Sequence, residues 1–189
     1  MVLHKLQHVG RRMFSKYLLV TNTATASSLL ALGDCIIQHI EKMDNKEKSY
    51  NFQRTGRMFT MGFLFGPVSH VWYKILDRYL PGAGLRTVAC KILADQTVAG
   101  PFFCSAFFMG MSLLEGKSRQ EGMEEVKAKF WTVYMLDWCL WPPAQFINFF
   151  FLPPNLRVVY VSGITLVWNT ILSWMKHKEQ HVETEVKQS

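Results

Sequence analysis

Charged residues divide this chain into long segments that carry no charge. Such segments lie between Lys16 and Asp34, Arg57 and Lys74, Asp95 and Glu115, Asp137 and Arg157, and Arg157 and Lys176. Their lengths are close to the roughly 17–25 residues that a membrane-spanning helix needs. An amphipathic soluble helix would show a charged residue every turn or two on its wet face. The pattern therefore predicts helices that are apolar all round, which suits lipid.

The composition alone does not require a membrane. The chain has 189 residues, 49% of them hydrophobic, and its mean hydropathy of +0.06 is low for a membrane protein. Soluble domains average roughly 45–50% apolar residues. The spacing of the charges, rather than their number, therefore favours a single helical membrane domain. A soluble all-α protein with buried helices is the alternative.

The positive charge is concentrated in the first half of the chain. Residues 1–100 carry 13 Lys and Arg against 6 Asp and Glu, whereas residues 101–189 carry 8 of each kind. Such an excess suits anionic lipid or RNA, although ordinary basic residues flanking membrane helices explain it as well. Residues 1–16 are basic and free of acids, as in mitochondrial targeting segments. We therefore expect a targeting-like segment at 1–16, a membrane domain at 17–177 and a polar tail at 178–189.

Proline and glycine punctuate the apolar segments. Pro142 and Pro143 suit the first turn of a helix and Pro153 with Pro154 suits its end. The helix between them, residues 142–152, would be about 16 Å long, too short for a hydrocarbon core of roughly 30 Å. The sequence predicts an all-α integral membrane protein with about four transmembrane helices plus this short broken or re-entrant helix; five spans are the alternative. The longer helices are expected at about 14–41, 54–79, 87–115 and 155–177.

Polar residues inside the apolar segments are the candidate functional positions. They are Asp34, His70, Asp95, Gln96, Gln145 and Asn148. Polar groups within a membrane mark functional sites by default, but buried hydrogen bonds between helices are an equally good explanation. The Gly62–Gly66 pair forms a GxxxG pattern, which allows a second helix to approach closely.

The sequence offers no pattern typical of an enzyme. The four cysteines, Cys35, Cys90, Cys104 and Cys139, lack the spacing of a zinc site. Phosphate-binding loops and nucleophile motifs are also missing from the sequence. His70 is the best single catalytic candidate, but a hydrogen-bonded histidine between helices explains it better. We therefore expect no catalysis, no cofactor and no metal.

Several motifs together resemble one family. They are "GDCIIQ" (33–38), "GPVSHVWYKILDR" (66–78), "DQTVAGP" (95–101), "WCLWPPAQFINFFFLPPNLR" (138–157) and "WNTILSW" (168–174). The chain thereby resembles the Mpv-seventeen family, also called the 22-kDa peroxisomal membrane protein family. The positions that carry the resemblance are Gly33, Asp34, Gln38, Gly66, Pro67, His70, Trp72, Tyr73, Asp77, Asp95, Gln96, Pro101, Trp138, Trp141, Pro142, Gln145, Asn148, Phe149, Pro153, Arg157 and Trp168.

The resemblance implies a location and two functions. It implies a multi-pass protein of the mitochondrial inner membrane, with the peroxisomal membrane as the alternative. The additional prolines Pro143 and Pro154 resemble the like-protein 2 branch, which implies a scaffold for mitochondrial ribosome assembly and translation. Other relatives imply a non-selective channel or small-solute pore. The expected partners are the lipid bilayer, mitochondrial ribosomal subunits and further copies of the chain.

Overall fold

The computed structural model describes residues 17–46, 49–82, 84–151 and 154–188, and for 149–150, 154–159 and 178–188 it describes the backbone alone. The all-α prediction is confirmed for these residues, which form helices and short connections. The elements are α1 (Leu18–Asp44), α2 (Phe52–Tyr79), α3 (Leu85–Ala94), a π-helical turn (Asp95–Ala99), α4 (Gly100–Leu114), α5 (Arg119–Phe150) and α6 (Pro154–Gln188). The backbone of α6 continues through most of the segment expected to be a polar tail.

The helices run alternately up and down. Helix α1 packs against α2 and α6, and α5 packs against α4 and α6. Because α3, the π turn and α4 form one continuous helical segment, Leu85–Leu114, the described residues form five long helical segments. We call the end where α1 terminates and α2 begins the network end. The first turn of α5 and the later part of α6 lie at this same end.

Local side-chain caps fix where two helices begin. Asn51 accepts a hydrogen bond from the backbone N–H of Arg54 at 3.0 Å and so caps α2. Ser118 and Glu121 form a reciprocal capping box at the start of α5, which satisfies N–H groups that have no partner within the helix. The charged stretch after Lys117 is therefore the first part of a long helix rather than a separate interfacial element.

The helical segment contains a π-helical turn, Asp95–Ala99, just before Gly100 and Pro101. The N–H of Gly100 bonds to the carbonyl of Asp95, five residues back. The corresponding partner of the Gln96 carbonyl would be Pro101, which has no N–H to donate. The hydroxyl of Tyr134 donates to that carbonyl at 2.9 Å instead. A side chain of α5 thus stabilises the irregular turn.

The prediction of a short helix at 142–152 was wrong. Pro142 and Pro143 lie inside α5, which continues unbroken from Arg119 to Phe150. Each proline removes one backbone donor, but its own φ is compatible with a helix, and the packing of α5 against α4 and α6 holds the segment helical. The second pair does mark a boundary, since α5 ends at Phe150 and α6 begins at Pro154. Pro153 lies outside the described residues.

The bundle has a small core and an apolar exterior. The core contains Leu30, Met58, Met61, Cys104, Phe107, Phe108, Met111, Val133 and Leu172. Large apolar side chains are also exposed on the outside, such as Val20 (65%), Phe63 (58%) and Met135 (59%). Extensive apolar surface of this kind usually marks contact with another protein or with a membrane.

One described helical segment, Leu85–Leu114, is both long and apolar enough to cross a membrane by itself. The other described helices do not meet both requirements.

Close packing of α1 against α2 depends on glycine. A Cβ atom on Gly62 would lie 2.4 Å from the Cα atom of Ser27, and one on Gly66 would lie 2.5 Å from that of Thr23. The prediction that the GxxxG pair allows close helix approach is therefore confirmed. A Cβ atom on Gly33 would similarly lie 2.8 Å from the backbone carbonyl carbon of Asn169 in α6.

We expect Gly62→Ala to destabilise the bundle by roughly 1–3 kcal/mol, because the added methyl group must push the two backbones apart. The measurement is the thermal unfolding midpoint of the purified protein in detergent. Gly56→Ala is the matched control, since it lies on the same helix and a Cβ atom there would meet nothing within 4 Å. An equal midpoint for both variants would contradict the close approach.

Candidate functional site

A fully buried carboxylate, Asp34, organises the network end of the bundle. Its side chain is 0% exposed. Oδ1 accepts hydrogen bonds from Arg54 Nε and Ser173 Oγ, both at 2.6 Å. Oδ2 accepts from Thr55 Oγ1 at 2.6 Å and from Gln38 Nε2 at 2.8 Å. Four donors from three helices therefore satisfy one buried charge, as a buried carboxylate requires.

Arg54 connects this carboxylate to a second acid. Its Nη1 lies 2.9 Å from Glu41 Oε2, and its Nη2 donates to Ser173 Oγ at 3.0 Å. The planar guanidinium group is suited to such simultaneous contacts. Gln38 adds a link to the chain entering α2, since its Oε1 accepts the N–H of Asn51 at 2.7 Å. Helices α1, α2 and α6 are thus joined through polar groups.

A second buried cluster surrounds Lys176 of α6, which is 2% exposed. Its Nζ lies 2.5 Å from Glu125 Oε2 and 3.2 Å from Glu115 Oε2, and it donates to Ser112 Oγ at 3.1 Å. Lys129 binds the other oxygen of Glu125 at 3.0 Å. These contacts join α6 to the last turn of α4 and the first turns of α5.

His177 and Ser173 connect the two clusters. The carbonyl of Ser173 lies 2.8 Å from Nδ1 of His177, which makes Nδ1–H the donor and fixes the tautomer. Nε2 of His177 lies 3.7 Å from Glu115 Oε1. We call the combined set the ionic network; its charged members are Asp34, Glu41, Arg54, Glu115, Lys117, Glu125, Lys129 and Lys176.

The ionic network is balanced when His177 is neutral, because its acids and bases are equal in number. Burial lowers the pKa of His177 to about 4, and the nearby Arg54 guanidinium acts in the same direction. For Glu125, burial opposes ionisation, but the hydrogen bonds from Lys176 and Ser112 outweigh it and lower the pKa to about 2. At neutral pH the imidazole is therefore uncharged and Glu125 is ionised.

A second polar group, the aspartate cluster, lies at the π turn and is formed by Asp95, Gln96, Tyr134 and Asp137. Trp72 Nε1 donates to Asp95 Oδ1 at 2.5 Å and Tyr73 donates to Oδ2 at 3.3 Å. Among the described residues, neither Gln96 Nε2 nor Asp137 Oδ2 has a hydrogen-bond partner, although both atoms are buried. This cluster differs from the ionic network because no lysine or arginine forms an ion pair with it in the described part of the chain.

The remaining candidate positions fall into different environments. His70 lies 3.3 Å from Asn22 through Nδ1, and Asp77 forms an ion pair with Lys91 at 2.6 Å. Asn148 is buried and donates to Gln145 on its own helix at 3.1 Å. Trp168 packs against the core. Pro67 lies inside α2, while Trp138 and Trp141 lie on α5.

The side chains of Phe149 and Arg157 lie outside the described residues. Within the described residues, no group of three or more His, Cys, Asp and Glu side chains is arranged to hold a metal ion.

Most of the ionic network carries no local signal in the sequence. Arg54 stands at an expected helix start, and nothing in the spacing of Ser173, Lys176 and His177 indicates their partners. One signal was present, because Asp34, Gln38 and Glu41 recur at i, i+4 and i+7 on one helix face. Three polar groups on one face of an apolar helix call for a polar partner.

Comparisons with known proteins agree on one family. A helical bundle with an apolar exterior and polar groups buried between its helices is typical of an integral membrane protein. The Mpv17 / PMP22 family pattern matches residues 112–173. PXMP2/4 family protein 4 of Dictyostelium discoideum is 35% identical over 161 residues, which cover 85% of this chain and 87% of the relative. The chain belongs to the Mpv17 / PMP22 family of membrane proteins.

The relatives come from two organelles. The mitochondrial inner membrane protein Mpv17 of Xenopus laevis is 36% identical over 82% of this chain and 87% of its own length. Peroxisomal membrane protein 2 of Bos taurus is 33% identical over 86% of this chain and 85% of its own length. No solved structure matches the chain.

We expect Arg54→Leu to destabilise the protein by about 3–5 kcal/mol, because it leaves Asp34 buried without its cation. The double variant Asp34→Leu with Arg54→Leu should be less unstable than the single variant. Thermal unfolding in detergent measures both, with Arg57→Leu as the control one turn further along α2. A double variant that is less stable than Arg54→Leu would show that the buried charge of Asp34 is not what destabilises the single variant.

We also expect stability to fall as pH decreases from about 6.5 to about 4. His177 takes up a proton near pH 6.5 when unfolded but near pH 4 when folded, so protonation favours the unfolded state across that window. Glu125 extends the loss from about pH 4.5 toward 2. His177→Gln should flatten the decline above pH 4.5, whereas His39→Gln, at an exposed position, should not. Unfolding midpoints across this pH series test the expectation.

Proposed function

We propose that this chain is a multi-span protein of the mitochondrial inner membrane that holds ribosome-assembly intermediates at the membrane, without catalytic chemistry of its own. The proposed partners are the lipid bilayer, mitochondrial ribosomal subunits and further copies of the chain. Relatives named as mitochondrial inner membrane proteins cover most of this chain, and the exposed apolar side chains support contact with lipid. The peroxisomal membrane is the alternative location.

The ionic network is the observation that favours a scaffold. A pore needs polar side chains that face an open path, whereas Asp34, Arg54 and Lys176 bind one another and are almost fully buried. Changing their arrangement would leave a buried charge without a partner, which costs several kcal/mol. A network of this kind holds the helices in one fixed arrangement, as a static platform requires. The basic residues of the first half would meet ribosomal RNA through phosphate contacts.

Sedimentation of detergent-solubilised mitochondria at low salt tests the scaffold. We expect the protein to migrate with a ribosomal subunit and to move to light fractions as salt is raised, because phosphate contacts weaken with salt. Chelation of magnesium is the control, since it separates the two subunits and the protein should follow only one of them. Migration in light fractions at every salt concentration would contradict a ribosomal contact.

A small-solute pore is the second candidate, and the aspartate cluster favours it. Gln96 Nε2 and Asp137 Oδ2 are buried and form no hydrogen bond of ordinary length within the described residues, although the two side chains are neighbours. Gln96 belongs to Leu85–Leu114, the segment long and apolar enough to span a membrane, and Asp137 lies on the helix that packs beside it. Unpaired polar atoms at such a position are costly unless they serve water or a solute.

The pore predicts that purified protein conducts in planar bilayers and that Asp137→Asn changes its conductance or ion selectivity. Asp77→Asn is the control, because the side chain of Asp77 is 74% exposed. Silent bilayers, together with co-migration with ribosomal subunits, would support the scaffold against the pore.

A further inference from the structure

We infer that the groove between α2 and α4 binds an anionic phospholipid, with an acyl chain in the groove and the phosphate at the basic residues beyond its end. The inference requires a membrane location but neither of the two functions proposed above. It combines two observations, a lateral apolar groove and a basic rim on the same pair of helical segments.

The groove is apolar and open to the side of the bundle. Its volume is about 180 Å³. The walls include Val68, Val71 and Ile75 from α2, and Val98, Phe102 and Phe103 from the π turn and α4. Val71 and Val98 are 54% and 55% exposed. A soluble protein would leave these side chains in water, whereas an acyl chain lying between them removes that apolar area from water.

Trp72 is the groove residue with a polar group, and that group is already bound to another residue. Trp72 contributes to the wall, and its indole N–H is already bound to Asp95 Oδ1 at 2.5 Å. The groove therefore offers little for hydrogen bonding to a polar ligand. One wall belongs to Leu85–Leu114, the described segment long and apolar enough to span a membrane. In a membrane, the groove would therefore lie at the level of the lipid acyl chains.

A basic rim continues the groove toward the end opposite the ionic network. Arg78 follows Ile75, the last groove residue of α2, by three residues and lies about one turn beyond it. Lys74 follows Val71 by three residues and flanks the groove at the level of Ile75. Lys91 precedes Val98 by two turns, but its Nζ is held 2.6 Å from Asp77 Oδ1, and Asp77 lies on the face of α2 opposite Val68 and Ile75, so this ion pair does not face the groove.

The charge of the rim fits one phosphodiester. Lys74 and Arg78 contribute two positive charges, whereas Lys91 is neutralised by its ion pair with Asp77. Lys74 and Arg78 are exposed and free to reach an added anion. Basic pockets between membrane helices are suited to anionic headgroups. Free phosphate would gain nothing from the apolar groove, and a zwitterionic lipid would gain little from the rim, so an anionic phospholipid satisfies both parts.

The test measures lipid binding by the full-length protein in detergent. Phosphatidylglycerol, phosphatidylcholine and inorganic phosphate are added separately, and bound lipid and the unfolding midpoint are recorded by native mass spectrometry and thermal denaturation. We expect phosphatidylglycerol to bind and to raise the midpoint, phosphatidylcholine to do so weakly, and phosphate to have no effect.

Two sets of variants separate the rim from the groove. Lys74→Gln with Arg78→Gln should weaken phosphatidylglycerol binding by roughly ten-fold or more, since each basic residue near a lipid surface contributes about 1 kcal/mol. Val71→Asn with Val98→Asn should weaken both lipids. Lys42→Gln, exposed at the network end, and Val20→Asn, exposed on α1, are the controls and should bind as wild type.

Two results would overturn the inference. One is unchanged phosphatidylglycerol binding in the rim variant, which would show that the basic residues are not its headgroup site. The other is equal stabilisation by inorganic phosphate, which would show that no acyl chain is involved. Because all measurements use purified protein without ribosomes or a conductance assay, failure here would leave the scaffold and the pore to their own tests.

Discussion

The ion pair between Asp34 and Arg54 is the contact on which the arrangement of the bundle depends. Removing both groups from water is costly, and their attraction recovers that cost only in a narrow geometry with every remaining hydrogen bond satisfied. Ser173 of α6 donates to Asp34 and accepts from Arg54, so the geometry cannot be met by α1 and α2 alone. The pair therefore specifies which helices meet, and in which register, more than it adds net stability.

The position of the ionic network explains why charged residues occur in such an apolar chain. Its members lie where α1, α4 and α6 approach one end of the bundle and where α2 and α5 begin. The charge-free stretches fill the remaining length of these helices. Two kinds of contact join the helices. Buried charges do so at one end, and glycine contacts such as Gly62 against Ser27 do so farther along. Polar groups fix the register and small residues allow close contact, as expected where lipid weakens the hydrophobic drive between helices.

The sequence predicted the helices better than it predicted their partners. Charge-free spacing and turn residues located most helix ends to within a few residues, because those signals are local. The interpretation of Pro142 and Pro143 as a helix start was wrong, since a proline's effect depends on whether neighbouring helices hold the segment. Arg54 and Ser173 are 119 residues apart, and no spacing rule within either helix connects them. One face of α1 carries Asp34, Gln38 and Glu41. This pattern predicts a polar partner but does not indicate which helix supplies it.

Trp72 links the two other features of the bundle, the groove and the aspartate cluster. Its ring forms part of the groove wall, while its N–H holds Asp95 at the start of the π turn. The π turn in turn places Gln96 so that Tyr134 satisfies its carbonyl. A movement of the Trp72 ring would therefore alter the hydrogen bonding of the half-buried Asp95 carboxylate. Asp34 and Lys176, at the centre of the ionic network, are both shielded from the surface. The middle of the bundle, rather than its network end, is consequently where the surroundings of the protein can act on its buried polar groups.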